Sequence, residues 1–118
     1  MDEIQTGVAN IKVVGVGGAG CNMTSWLYKK GIKGADILAI NTDQQHLNLT
    51  EADHKILIGK DLTRGLGCGG YPEKGTEAAQ ESFLELKEKI TLTDMMFICA
   101  GMGGGTGTGA AHVVAKLA

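Results

Sequence analysis

Residues 11–20 read Ile11-Lys12-Val13-Val14-Gly15-Val16-Gly17-Gly18-Ala19-Gly20, and this stretch decides the fold. A short β-branched run that stops at glycines reads as a strand buried on both faces. Residues 20–30 follow with Cys21, Met23, Trp26 and Leu27 and no proline, which predicts a helix ending near Gly31. The glycines between strand and helix fit G-x-G-x-x-G, where bare amides and the helix dipole can hold a phosphate. Taken alone, the pattern fits a ligand-free strand-to-helix turn equally well.

Outward from this unit the apolar clusters keep alternating in type. Asp36-Ile37-Leu38-Ala39-Ile40-Asn41 reads as a second strand and residues 55–58 as a third, with a helical turn over residues 44–49. Residues 63–70 form a loop carrying Gly65, Gly67, Gly69 and Gly70. Pro72 then opens a helix, a position where its missing N–H costs nothing. Ala79, Phe83, Leu86 and Ile90 make one apolar stripe along that helix. Gly75 within it weakens the helix by about 1 kcal/mol relative to alanine. Met95-Met96-Phe97-Ile98-Cys99-Ala100 is a fourth buried strand, expected inside the sheet and not at its edge. Residues 101–109 read as a glycine loop and residues 110–118 as the start of a helix. This alternation predicts an α/β fold, a Rossmann-like parallel sheet with helices on both faces. Its ligands belong at the carboxyl edge of the strands, where the glycines gather.

Composition narrows the classes. The 118 residues hold 43% hydrophobic and 20% charged residues, which places the chain among globular domains and not disordered ones. A formal charge of −2 with no basic stripe argues against nucleic acid as a ligand. Cys21, Cys68 and Cys99 are odd in number and include no C-x-x-C pair, which suits a reducing cytoplasm better than a disulfide framework or a zinc site. His46, His54 and His112 lack ligand spacing and read as surface or structural residues. No signal-peptide pattern opens the chain, and no apolar run approaches spanning length, so direct membrane insertion is not expected.

The second glycine run sharpens the reading. Gly103-Gly104-Gly105-Thr106-Gly107-Thr108-Gly109 places five glycines and two threonines in seven residues directly after a strand. Successive glycine amides can converge on an anion without Cβ interference, and threonine hydroxyls add donors. No lysine follows either run as a Walker P-loop would need, so amides and hydroxyls must hold the phosphates. A nicotinamide- or flavin-binding Rossmann domain remains open, with Asp43 placed 23 residues past Gly20 as its ribose-binding acid. So does an interaction fragment that binds no nucleotide.

Residues 103–109 resemble the signature loop of the tubulin/FtsZ family, a highly specific motif. The rest agrees in order and spacing: Val14 to Gly20, Ile40-Asn41-Thr42-Asp43, Ile58-Gly59, Thr63-Arg64-Gly65-Leu66-Gly67, Pro72-Glu73 and Ala100-Gly101-Met102-Gly103. The resemblance runs from Ile11 to the last residue and is closer to the prokaryotic cell-division branch than to eukaryotic tubulin. It implies a GTP/GDP site built from several loops, with Mg2+ accompanying GTP. Gly17, Gly18, Ala19, Gly20, Cys21 and Asn22 would lie under the phosphates. Asn41 and Asp43 would lie near the sugar–phosphate region and a polymer interface. Cys68, Gly69 and Gly70 would face the γ-phosphate, and Gly103, Gly104, Gly105, Thr106, Gly107 and Thr108 would wrap the phosphates.

The resemblance further implies head-to-tail filaments, other cell-division proteins as partners, and a place at the division site of a prokaryotic cell. Residues 1–10 would be an N-terminal extension and residues 11–118 a partial GTP-binding domain. The guanine-reading segment, the central helix, the C-terminal domain and the acidic loop that acts on the neighbouring subunit's nucleotide would all lie past Ala118. No catalytic residue is therefore expected within the chain, and GTP turnover by it alone is not expected. Cys68, Tyr71 and His112 depart from the family's usual alanine, asparagine and proline. Without a capping asparagine at position 71, the following helix loses about 1 kcal/mol unless Tyr71 packs instead.

Overall fold

The computed structural model describes residues 10–69, 71–90, 93–101 and 105–117. Among these residues four strands form one parallel sheet: β1 (Ile11–Val16), β2 (Ala35–Asn41), β3 (His54–Leu57) and β4 (Met95–Ala100), in the order β3-β2-β1-β4. The helices are α1 (Gly17–Lys30), α2 (Gln44–Leu49), the single turn α3 (Lys60–Thr63), α4 (Pro72–Glu81), α5 (Phe83–Ile90) and α6 (Gly105–Leu117). No helix among the described residues is long and apolar enough to cross a membrane.

Strand register explains how the core divides. Ile56, Ile40, Val16 and Ala100 line up across the four strands, and Leu38, Val14 and Ile98 form a second row. These large side chains pack under α4, α5 and α6 through Ala78, Ala79, Leu86, Ile90, Ala110, Val113 and Val114. On the opposite face the corresponding row is Ala39, Gly15 and Cys99. There Cys21 of α1 and Leu47 of α2 close over Ala39. One face is thus built from branched side chains, while the other carries Val13, Ile37 and Phe97 in one row and is near-bare backbone in the row nearer the carboxyl edge.

The bare face lets α1 approach the sheet closely. A Cβ on Gly15 would sit 2.4 Å from the carbonyl oxygen of Gly20 and 2.5 Å from Thr24 Cγ2. A Cβ on Gly20 would sit 2.2 Å from the carbonyl oxygen of Cys99 on β4. Gly20 therefore serves helix-on-sheet contact in the first place, and its side-chain position faces the sheet and not a ligand.

Four expectations need correction. β4 lies at an edge of the four-stranded sheet, with Met95 and Phe97 more than half exposed. Its apolar run covers one face against α6 and leaves the other partly open, which hydrophobic pattern alone cannot distinguish from an interior strand. The helix expected from Pro72 to Ile90 is interrupted at Ser82. Its hydroxyl accepts from the Gly59 N–H (3.1 Å), and the Glu81 carboxylate accepts from the Asp61 and Leu62 N–H groups (3.1 and 3.0 Å). These two side chains thus cap the start of α3, a turn the sequence reading did not include, and Phe83 rotates out to 40% exposure. Helix α1 begins at Gly17 and not Gly20, and α6 begins at Gly105 within the glycine run and not after it.

Gly20→Ala is expected to destabilise the protein by about 3 kcal/mol or more, because two backbones must separate to admit the methyl group. Gly34→Ala, with φ +81 but nothing within 4 Å, should cost only about 1 kcal/mol of backbone strain. Urea midpoints of the two variants decide the matter; equal losses would contradict the close-packing role of Gly20.

Candidate functional site

Every β-to-α connection of a parallel sheet emerges at the carboxyl edge, and here those connections are tied together. Gly101, after β4, abuts the first turn of α1, since a Cβ there would lie 2.6 Å from Ala19 Cβ. After β2, Ile58 N–H donates to the Asn41 carbonyl (2.9 Å) and Thr63 Oγ1 donates to the Thr42 carbonyl (3.3 Å). Cys68 Sγ lies 3.4 Å from Thr42 Oγ1, and Gln44 N–H donates to the Gly65 carbonyl (3.0 Å). Thr76 of α4 donates to the Gly109 carbonyl of α6 (3.0 Å). The predicted site residues that are described thus come to one edge. Gly70, Gly103 and Gly104 lie outside the described residues.

Three helix N-termini open onto this edge. At α1 the N-cap is Val16, with no side-chain cap and no acidic residue in the first turn. At α4 the N-cap is Tyr71, again without a side-chain cap, and Pro72 takes the first turn. Tyr71 is 57% exposed and its ring carries the Lys74 ammonium at 5.6 Å, so it neither caps the helix nor packs in the core. At α6 the first turn is Gly105-Thr106-Gly107-Thr108. The first N–H groups of a helix have no intrahelical acceptor and carry the positive end of the dipole. Gly65, Gly67 and Gly69 all hold positive φ (79°, 90° and 62°), which is why the loop leading to α4 is glycine at alternate positions.

Asn41 is 3% exposed. Its Oδ1 accepts from the Thr42 and Asp43 N–H groups (2.8 and 3.2 Å), which fixes the orientation of the amide. Nδ2 is left buried with no hydrogen-bond partner among the described residues. Such an orphaned donor costs about 1–3 kcal/mol unless something accepts from it. A ligand with oxygen acceptors at the carboxyl edge would supply what it lacks.

Asp43 has a different occupation from the ribose contact that a dinucleotide site would require. It is the N-cap of α2, with Oδ1 accepting from the His46 N–H (3.1 Å). His46, which the sequence reading gave a surface or structural role, sits against the first turn of α1, where a Cβ on Gly18 would lie 3.2 Å from its ring. No spacing in the sequence could have signalled this, because the contact joins residues 28 positions apart. His112 belongs to α6 by its backbone.

Cys21 and Cys68 contribute their sulfurs to packing. The Cys21 thiol is fully buried and donates to the Ile40 carbonyl (3.5 Å), pointing toward the sheet. Only its amide is available to a ligand. Burial pushes this thiol up to about 11, opposed in part by Thr50, the Ile40 backbone and Asn41, which lies within electrostatic reach without a well-aligned hydrogen bond. Cys99 is raised by burial as well. Among the described residues no cluster of three His, Cys, Asp or Glu side chains could hold a metal ion.

Comparison with known proteins agrees with this arrangement. The profile of the Tubulin/FtsZ family, GTPase domain, matches residues 10–118. The cell division protein FtsZ 1 of Archaeoglobus fulgidus is 56% identical over 108 residues, which is 92% of this chain and 29% of that protein. An empty FtsZ dimer from M. jannaschii superposes with a TM-score of 0.95 at 57% identity, covering 98% of this chain and 34% of that one. CetZ2 from Haloferax volcanii, solved as a GTPγS-bound protofilament, superposes with a TM-score of 0.79 at 30% identity, covering 91% of this chain and 35% of that one. The chain therefore spans about a third of the length of these relatives.

The raised Cys21 pKa makes a pH prediction whose sign follows from linkage. A group whose folded pKa is raised stabilises fully below its unfolded value of 9.0, and that contribution is lost as pH climbs through about 11. The stability advantage of the wild type over Cys21→Ala should therefore shrink between pH 9 and 11 by on the order of 2 kcal/mol. Denaturant titrations at the two pH values check it, and an advantage that does not change with pH would contradict the buried neutral thiol.

Proposed function

The chain belongs to the tubulin/FtsZ family, and from that premise we propose that it forms the phosphate-binding part of a GTP site in a filament-forming cell-division GTPase. The observation that carries this reading is the meeting of the α1 N-terminus with the chain leaving β4, where Gly101 abuts Ala19, together with the orphaned Asn41 Nδ2 at the end of β2.

In this reading the amides of Gly17, Gly18, Ala19, Gly20, Cys21 and Asn22 lie under the phosphates, and those of Gly105, Thr106 and Gly107 wrap them from the α6 side. Gly103, Gly104 and Thr108 complete the wrapping run. Cys68, Gly69 and Gly70, leading into α4, face the γ-phosphate. Asn41 donates its Nδ2 N–H to the nucleotide, and Asp43 stays in place as the cap that orients the second loop. Backbone amides are fixed in direction before the ligand arrives, so little is lost in ordering them. Mg2+ would come with the triphosphate, since the described residues offer no metal cluster of their own.

Hydrolysis needs an oriented water as well as stabilised phosphates. Residues 10–118 supply the second requirement. The acidic group for the first would come from the next subunit in a head-to-tail filament, as the family resemblance implies. GTP turnover is then a property of the assembled polymer, at the division site in the cytoplasm, with other division proteins as partners. A dinucleotide-dependent oxidoreductase is not favoured, because Asp43 is engaged as a helix cap.

Calorimetry with GTP, ATP and NAD on a chain extended to the length of its relatives tests the reading. GTP alone should bind, and binding should accompany filament formation. Gly105→Val should weaken GTP binding about tenfold to a hundredfold, because the added side chain occupies the space of the phosphate and costs a hydrogen bond to a charged group. Unchanged affinity in a folded Gly105→Val variant would remove the α6 run from the site.

A further inference from the structure

The first turn of α1 has a titratable neighbour that the nucleotide reading does not use. A side chain on Gly18 would meet the His46 ring, at 3.2 Å from Cε1 and 3.4 Å from Nδ1. The ring thus lies alongside the first turn of α1, with its Nδ1 edge against Gly18, the residue whose amide belongs to the proposed phosphate run. Its other nitrogen is occupied: Nε2 lies 3.0 Å from Asn22 Oδ1, one turn further along α1. With an oxygen accepting at Nε2, the proton sits there, and Nδ1 is the site that gains or loses one. Among the described residues Nδ1 has no hydrogen-bond partner.

We propose that His46 is a phosphate ligand of this site, acting as the imidazolium, with Nδ1–H directed at the anion and Asn22 holding the ring in place. The inference rests on the nucleotide reading above and adds to it a proton-linked contact. A cation beside a helix N-terminus opposes the dipole when the site is empty. An anion bound at that terminus reverses the balance and favours the charged ring. α1 has no acidic residue in its first turn. The Asp43 carboxylate, on the α2 N-cap, accepts from the His46 N–H. Lys29 of α1 and Glu51, just past α2, pair with each other at 3.6 Å. Protonation and phosphate binding must then assist each other by the same factor.

GDP binding to the full-length protein, measured by calorimetry at pH 5.5 and pH 8.0 at constant ionic strength, tests this together with His46→Gln. The nucleotide's own terminal phosphate titrates in this range and affects both proteins alike. The wild type should gain about two- to fivefold more affinity on going to the lower pH than His46→Gln does. NMR titration of the ring should show its midpoint rising by about 0.3 to 0.7 pH units on saturation with GDP, the same factor read from the other side. Identical pH slopes in the two proteins, or a midpoint unmoved by GDP, would overturn the inference while leaving the nucleotide reading intact. Absence of GDP binding by the wild type at both pH values would overturn both.

Discussion

The structure depends on one close approach: α1 lies against the sheet with backbone touching backbone at Gly15, Gly20 and the Cys99 carbonyl. A methyl group at either glycine would push the helix outward. That contact sets the height of the α1 N-terminus above the sheet edge, and with it the direction of the first-turn amides. The loop after β4 then meets the same turn, with Gly101 against Ala19. The opposite face is packed conventionally, with rows of Val, Leu and Ile under three helices. Branched side chains supply the stability and bare backbone supplies the geometry of the site.

The same economy governs the polar groups at the edge. Asn41 uses its oxygen twice to hold the turn after β2 and leaves its amide nitrogen buried without an acceptor. Asp43 caps α2, Ser82 and Glu81 cap α3, and neither α1 nor α4 receives a side-chain cap. Capping ordinarily contributes about 1 kcal/mol. Helix ends left bare at one edge of a sheet, while α2 and α3 are served, are what an anion-binding edge requires.

Much of this was legible in the sequence, because strand and helix periodicities are local and glycine clusters mark strand-to-helix turns. Residues 11–16, 36–41 and 95–100 announce themselves as strands by their apolar runs alone. The helix starts at Gly17 and Gly105 shift only locally, whereas what pattern could not reach involves partners distant in the chain. Gly20 fits a phosphate motif, yet its missing side chain is explained by Cys99, 79 positions away. The stripe from Ala79 to Ile90 is regular, but Ser82 and Glu81 are drawn to residues 59–62 and interrupt the helix. His46 shows no ligand spacing because its neighbours, Gly18 and Asn22, belong to another element. The edge position of β4 is invisible to hydrophobic pattern, since the pattern reports cover on the two faces and not neighbours within the sheet.

The central claim is that phosphates are held by main-chain amides at two helix N-termini, with no lysine or arginine in contact. A crystal structure of the full-length protein with GDP tests this most directly. The account predicts phosphate oxygens about 3 Å from the amide nitrogens of residues 18–22 and 105–107, with Asn41 Nδ2 finding its acceptor on the nucleotide. Phosphates held by lysine or arginine side chains, or lying away from the α1 and α6 termini, would contradict it.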